Sequence, residues 1–339
     1  MLLRERLTAQ LLAGPRPRDP VAVTERLLAI QAQDPRGARL AIRARSAGLT
    51  AADVDRALSH DRSLVVTWLN RGTLHLIRSE DYPWLQALTP PPLHTGNARR
   101  LAQEGVSPDL AERGVAVIER SLATDGPLVR ARLRERLASA GVPTAGQALV
   151  HLLMAASLRG ILVRGPMVGQ EQAFVLAREW LGEPRRLERD DALAELARRY
   201  LAGHGPAGDR DLARWSGLPL RDARAGLAAI APRLDRRPDG LVALGGRRRA
   251  AAAPRPRLLG AFDPVLLGWT SRDFIVGPYE PVLVAGGLFR PFLLVDGRAA
   301  GTWNLRDGRV TLDPFRRLPP TEAASAERDA ADVVRFLGG

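Results

Sequence analysis

Two glutamines separated by one alanine, Gln31 and Gln33, lie where one predicted helix should end and another, opened by Pro35, should begin. Residues two apart on extended backbone project to the same side, so the two amides could face one cavity. Amide oxygens accept hydrogen bonds, and such a pair can therefore hold a water molecule for attack on a substrate. The alternative is that both are solvated polar side chains at a helix end, and composition alone does not exclude it.

Two aspartates are further candidates for chemistry. Asp34, directly after Gln33, could act as a general base. On extended backbone, however, its carboxylate would point away from the side of the glutamines, and a carboxylate before proline is well suited to cap a helix. Asp263 also precedes a proline, so it is either a second catalytic carboxylate or a turn residue.

Polar side chains also alternate along a predicted hairpin, where Arg71, Thr73 and His75 should share one face. We expect Arg71, and less directly His75, to contact a phosphate or a substrate pocket. The alternative is a hairpin with a structural histidine. The other histidines have no metal-ligand spacing, so no metal site is predicted; they are His60, His94, His151 and His204.

The basic residues are all arginine: there are 50 of them, and the chain contains neither lysine nor cysteine. A P-loop, a kinase site and a pyridoxal or other Schiff-base site need a lysine, so none can operate here in its ordinary form. Disulfides, thiol catalysis and cysteine-zinc sites are likewise excluded. We expect no cofactor.

The formal net charge of +13 indicates an anionic partner. Codon bias in a GC-rich genome explains the missing lysine but not the excess of base over acid. Guanidinium groups bind phosphate oxygens in pairs, which favours nucleic acid. The Gly-flanked run Arg247, Arg248 and Arg249 is the strongest candidate for backbone contact.

The first residues, MLLRERLTAQLLAG, lack the apolar core of a signal peptide because three charges interrupt them. The longest stretch without charged residues, 137–158, contains two glycines, a proline, a glutamine and a histidine, so it predicts a turn and a buried helix rather than a membrane span. We expect a cytoplasmic protein without a membrane partner.

Helices followed by a short β-hairpin occur three times along the chain. This order is typical of the winged helix, in which one helix can enter a DNA groove while the hairpin touches the backbone. The predicted hairpin strands are 64–69 with 73–77, 161–164 with 172–175, and 233–235 with 241–244.

A β-rich segment follows, with apolar runs at 258–269, 282–284, 292–295, 299–305 and 310–312 and a closing helix at 323–336. Asp-Gly pairs at 296–297 and 307–308 predict tight hairpin turns between the last three runs. The predicted fold class is therefore α+β. Its expected domains are 1–92, 105–182 and 187–246, each a winged-helix unit, and the β-rich domain 257–339.

Four segments together resemble the AlkZ/YcaQ-type winged-helix DNA glycosylase family: LLAIQAQDPRGARLAIRAR, TWLNRGTLHLI, LLGAFDPVLLGWTSRD and VDGRAAGTWNL. The resemblance runs from Leu2 to about Phe315. It implies three tandem winged-helix units and a β-rich C-terminal domain, arranged as a C with a basic concave channel. It also implies a channel-facing position for Asp263 and places the first hairpin beside the catalytic motif.

The family's catalytic motif is glutamine, an apolar residue, then glutamine or aspartate, and Gln31-Ala32-Gln33 matches it. By this resemblance the two glutamines position the water that attacks the sugar of a damaged nucleotide. Family members excise N7-alkylguanines, and some unhook interstrand crosslinks. The implied partner is double-stranded DNA with alkylated or crosslinked purines, and the implied site of action is the bacterial nucleoid, where we expect a monomer.

An N7-alkylated guanine carries positive charge, so its glycosidic bond is already weakened and the base leaves without a general acid. Glycosylases that also cut the backbone usually attack with an amine, and this chain has no lysine. The sequence therefore predicts a monofunctional glycosylase. The alternatives are a non-catalytic winged-helix DNA-binding protein, such as a transcriptional regulator, and a protein-interaction scaffold.

Overall fold

The computed structural model describes residues 1–169, 171–182, 187–246 and 254–338. Helices and antiparallel sheets are both present, as the sequence predicts. Packing divides the chain into two compact units, one formed by Met1–Asp55 with Leu193–Gly339 and the other by Arg56–Ala192. This grouping follows packing, whereas the four domain boundaries given above follow the sequence repeat and stay a prediction.

The N-terminal part of the chain forms four helices and one short strand. They are α1 (Leu2–Ala9), α2 (Pro20–Leu27), β1 (Ile30–Gln31), α3 (Pro35–Arg45) and α4 (Ala51–Ser59). Two of these helices have capped starts: the carboxylate of Asp19 accepts hydrogen bonds from two backbone amides of α2, and Asp53 accepts from the amide of Thr50 at the start of α4. Proline follows Asp19 at the first helical position, where its missing N–H costs nothing.

The first two helices each end just before a residue with a left-handed backbone conformation. Backbone φ is +56° at Leu11 and +65° at Leu28, and a right-handed helix cannot continue through such a residue. The reversal at Leu28 turns the chain into the extended segment β1, which carries Gln31.

The second unit combines two hairpins with a bundle of helices. Its elements are β2 (Leu64–Leu69), β3 (Thr73–Arg78), α5 (Tyr82–Leu88), α6 (His94–Gln103), α7 (Pro108–Asp125), α8 (Arg130–Ser139), α9 (Ala148–Leu158), β4 (Leu162–Val168), β5 (Glu171–Leu176) and α10 (Ala177–Leu181). Both predicted hairpins are confirmed. The sequence analysis missed α6 and α10, and it did not foresee that Val66 pairs with Arg164, which joins the hairpins in the antiparallel order β3-β2-β4-β5.

Helix α9 is the centre of the apolar core of this unit. Nine of its eleven residues are buried, and α6 and α7 pack against it. The core continues to the sheet through Trp68 and Phe174, whose rings stack with centroids 6.4 Å apart. The predicted buried helix in this charge-free stretch is confirmed.

The C-terminal part of the chain, from Leu193, belongs to the first unit. Its elements are α11 (Arg189–His204), α12 (Asp209–Ser216), α13 (Leu220–Ala229), β6 (Leu234–Arg236), β7 (Val242–Leu244), β8 (Arg257–Leu259), α14 (Asp273–Val276), α15 (Glu280–Leu283), β9 (Val284–Ala285), β10 (Leu288–Phe289), β11 (Phe292–Val295), β12 (Arg298–Arg306), β13 (Arg309–Pro314) and α16 (Pro320–Leu337). The third predicted hairpin is β6-β7, and a four-stranded antiparallel sheet has the order β13-β12-β11-β8. No helix within the described ranges is both long and apolar enough to cross a membrane.

Two local predictions for this β-rich segment have different outcomes. The Asp-Gly turns are confirmed, because φ is positive at both residues of each pair, as a tight hairpin turn requires. The prediction of strand throughout 258–269 is wrong. Only Arg257–Leu259 is strand, and a 3₁₀ turn at Pro264–Leu266 follows, because Asp263 and Pro264 begin a helical turn rather than extended chain. The run 282–284 likewise begins within α15.

A buried ion pair connects α3 to the segment after β8. The guanidinium of Arg45 donates to both carboxylate oxygens of Asp263, at 2.9 and 2.7 Å, and both residues are 0 % exposed. The same guanidinium donates to the side chain of Gln10, which in turn donates to the carbonyl of Gly203. One network therefore holds four separate segments of the first unit together.

We expect Asp263→Ala to lower the free energy of unfolding by about 3–5 kcal/mol, because it leaves the buried Arg45 charge without its partner. Chemical denaturation of wild type and variant measures the difference. Glu327→Ala removes an exposed carboxylate and is the control, with an expected change within about 0.5 kcal/mol. A loss below about 1 kcal/mol for Asp263→Ala would contradict the structural importance of the pair.

Candidate active site

The glutamine motif lies in the short segment between α2 and α3. Gln31 ends β1 and is 8 % exposed, whereas Gln33 is exposed in the bend before α3. The burial of Gln31 does not fit a solvated residue at a helix end. The strand ends at Gln31, so regular extended backbone does not continue to Gln33, and the two side chains differ in their exposure to solvent.

Asp34 caps α3. Its carboxylate accepts a hydrogen bond from the backbone amide of Arg36 at 3.0 Å, and Pro35 occupies the first helical position. The cap alternative for Asp34 is therefore confirmed. The cap also fixes the point at which α3 begins, two residues after Gln33, so it limits where the second glutamine can lie.

The start of α3 packs directly against the backbone that follows β8. A β-carbon added to Gly37 would overlap the carbonyl oxygen of Ala261, and one added to Gly260 would lie 2.9 Å from the α-carbon of Gly37. Only glycine permits this approach. Two of the segments that carry the family resemblance, around the glutamines and around 258–273, therefore meet in the first unit.

Further along α3, Arg43 reinforces the same contact. Its guanidinium donates to the carbonyl of Leu258 at 2.8 Å and to the carboxylate of Asp329 at 2.8 Å. Asp329 also accepts from the backbone amide of Leu258. Helix α3 is thus attached to β8 at Arg43 and to the following turn at Gly37 and Arg45.

Asp263 serves this framework as a turn residue. Besides its pair with Arg45, it accepts from the backbone amide of Val265 and caps the 3₁₀ turn. Both carboxylate oxygens are occupied and neither is exposed to solvent. The channel-facing position that the resemblance implies for Asp263 receives no support from this geometry.

In the second unit, the predicted hairpin face is only partly formed. Thr73 and His75 lie on β3, but Arg71 lies in the turn, where φ is +22° at Asn70 and +36° at Arg71. The alternation predicted for the three side chains therefore stops at Thr73. Arg71 is partly buried.

His75 is 2 % exposed and electrically neutral at physiological pH. Burial, and after it the charge of Arg71, lower the pKa of His75 from 6.5 to about 3. Its Nδ1 lies 2.9 Å from the carbonyl oxygen of Thr73, which can only accept, so Nδ1 carries the proton. Nε2 is then an acceptor.

Arg247, Arg248 and Arg249 lie outside the described residues. Within the described ranges no group of three or more histidine, aspartate and glutamate side chains is arranged to hold a metal ion. The sequence analysis missed Gly37, Gly260 and Arg45. Their partners are more than 200 positions away, and only a glycine within a predicted helix could have signalled a close backbone approach.

Comparisons with known proteins place these segments in a wider context. The sequence profile of a family described as DNA glycosylase AlkZ-like matches residues 24–336. An interstrand DNA cross-link repair glycosylase from Streptomyces sahachiroi is 28% identical, and the alignment covers 93% of this chain and 90% of the relative. The solved structure of the DNA glycosylase AlkZ from the same organism has a TM-score of 0.80 at 27% identity, covering 99% of this chain and 95% of the other.

We expect Gly37→Ala to destabilise the protein by roughly 1–3 kcal/mol, because the added methyl group overlaps the carbonyl of Ala261 and α3 must shift. Gly96→Ala is the matched control. Gly96 lies in α6 with nothing within 4 Å of an added β-carbon, so this variant should be about 0.5–1 kcal/mol more stable than wild type. Thermal and chemical denaturation measure both, and equal shifts in the two variants would refute the close packing.

We also expect His75 to make the protein less stable in mild acid. As pH falls below 6.5 the unfolded chain binds a proton that the folded protein, with its pKa of about 3, does not bind. The contribution of His75 to the free energy of unfolding is nearly constant above pH 6.5, and it falls by about 2 kcal/mol by pH 5. Between pH 6.5 and pH 5, His75→Gln should therefore lose about 2 kcal/mol less of its free energy of unfolding than wild type does. The control is His60→Gln, at a side chain that is 86% exposed, and its stability should change with pH as that of wild type does. Chemical denaturation at a series of pH values measures all three proteins.

Proposed function

The chain belongs to the AlkZ-like family of DNA glycosylases, and from this premise we propose that it hydrolyses the N-glycosidic bond of alkylated purines through water held by Gln31 and Gln33. The observation that carries the proposal is the buried Gln31 at the end of β1, followed by Gln33 just before the capped start of α3. The motif is thus attached to a rigid framework, as a catalytic pair requires.

The chemistry needs little from the protein. In an N7-alkylguanine the base is cationic, so the bonding electrons pass to the base as the bond breaks and the base leaves neutral. Positive charge then develops on the sugar, and water adds at C1′ and loses a proton. Amide oxygens can orient that water and stabilise the sugar cation, which makes a strong general base unnecessary.

The remaining candidates have supporting roles in this proposal. Asp34 caps α3, and Asp263 holds the turn beside it. Arg71, Thr73 and the neutral His75 contact the DNA from the first hairpin without supplying a proton. The run 247–249 contacts phosphates.

We propose a monofunctional enzyme. A covalent lyase step usually uses the amine of a lysine, and this chain contains no lysine. The product is then an abasic site. Treatment with borohydride should trap no enzyme-DNA adduct.

The substrate range includes crosslinked purines in this proposal, because a relative is named as an interstrand cross-link repair glycosylase and its alignment covers 93% of this chain. The finer architecture belongs to the same proposal: three tandem winged-helix units and the β-rich domain form a C-shaped molecule with a basic channel. We propose that it acts on the duplex as a monomer.

We expect Gln31→Ala and Gln33→Ala each to lower the single-turnover rate of N7-methylguanine release by roughly 10²-fold or more, because each removes a group that orients the water. The substrate is a duplex with one N7-methylguanine, and alkaline cleavage of abasic sites measures the product. Gln33→Asp should retain activity, since a carboxylate also accepts from water. Gln103→Ala, at an exposed position of α6, is the control.

Affinity for the duplex should stay within about threefold in all four variants, which separates catalysis from binding. Equal rates in wild type and both alanine variants would remove the glutamine mechanism. If wild type binds DNA but releases no product from several alkylated duplexes, the alternative of a non-catalytic DNA-binding protein, such as a transcriptional regulator, is favoured.

A further inference from the structure

Phe262, in the loop after β8 that packs against the first turn of α3, has a strained backbone. Its φ is +57°, a conformation that costs a bulky residue about 1–3 kcal/mol. The residues on both sides are fixed: Ala261 packs against Gly37, and Asp263 is held by Arg45. The framework therefore imposes this conformation on Phe262, and a glycine would fit here without strain.

The side chain is an aromatic ring that stays partly exposed. It packs against Phe289 with centroids 5.4 Å apart and an interplanar angle of 45°. A guanidinium, that of Arg272, lies 5.1 Å from the centroid of Phe289 and is paired with Glu280 at 3.3 Å. Within the described residues no cation lies over Phe262 itself.

The loop that carries this ring packs against the helix that follows the glutamine motif. Ala261 contacts Gly37, which lies in the first turn of α3. Gln33 is separated from the first residue of that helix only by the cap residue, Asp34. The loop that carries Phe262 thus lies beside the helix end that follows the motif.

We propose that Phe262 is a specificity residue that binds the cationic purine of the substrate through its aromatic face. An alkylated purine is flat, large and positively charged, and an aromatic ring attracts a cation more strongly than an apolar side chain of equal size does. An undamaged purine is neutral and gains stacking only. This inference rests on the proposed function, and it explains how the enzyme would distinguish an alkylated purine from an undamaged one.

The Phe262 ring should affect the binding of the substrate and not the rate of the chemical step. As the glycosidic bond breaks, its electron pair neutralises the base, so the attraction to Phe262 weakens along the reaction. An interaction stronger in the ground state than in the transition state raises affinity without raising the rate at saturation. The neutral base is then released more easily.

The test replaces Phe262 with phenylalanines carrying one, two or three ring fluorines, which withdraw electron density from the face at nearly constant size. Affinities for an N7-methylguanine duplex, an undamaged duplex and an abasic duplex are measured in the Gln31→Ala background, before any excision proceeds. We expect the preference for N7-methylguanine over undamaged DNA to fall stepwise, by roughly two- to thirtyfold in total. Affinity for undamaged and abasic duplexes and the melting temperature should not change.

The same fluorinated series at Phe289 is the matched control and should leave the preference unchanged, because that ring stacks on Arg272. Phe262→Leu, which keeps an apolar side chain without an aromatic face, should lose the preference as the trifluorinated ring does. A preference that is absent at the start, or that survives fluorination, would overturn the proposal, as would an equal loss on all three duplexes. Failure of the glutamine mechanism has a different signature, an unchanged saturated rate in Gln31→Ala and Gln33→Ala.

Discussion

The pair between Arg45 and Asp263 is the interaction on which the first unit depends. Two fully buried charges are costly to remove from water, and their attraction offsets this cost only where the two groups are well aligned and make further hydrogen bonds. Here the guanidinium meets both carboxylate oxygens and also Gln10 and the carbonyl of Ala41. The pair fixes one end of α3, and because a helix is rigid, the end that follows Gln33 is fixed with it.

Much of the local structure could be predicted from the sequence because its causes are local. Asp19 and Asp34 precede prolines and cap helices, and the Asp-Gly turns adopt the positive φ values that their residues favour. The observed ends of strands β2 and β3 lie within one residue of the predicted ends. Each of these features depends on residues only a few positions apart.

The arrangement of the site could not be predicted from the sequence alone. Arg45 is one of fifty arginines, and nothing in its surroundings distinguishes it from a solvated one. The contact of Gly37 with Ala261 depends on how α3 approaches the turn after β8, which no periodicity encodes. The apolar run 258–269 indicated strand because hydrophobicity reports burial, and a buried irregular turn looks the same.

The burial of α9 bears on how such a protein reads DNA. In a winged helix, the helix before the hairpin places its side chains against base edges in the major groove. Helix α9 holds that place before β4 and β5, yet nine of its eleven residues face the core. Within α9 only Val150 and His151 are partly exposed, so at most two of its side chains are accessible to a partner from outside the core. Two accessible side chains are too few to distinguish one base sequence from another by direct contacts to base edges.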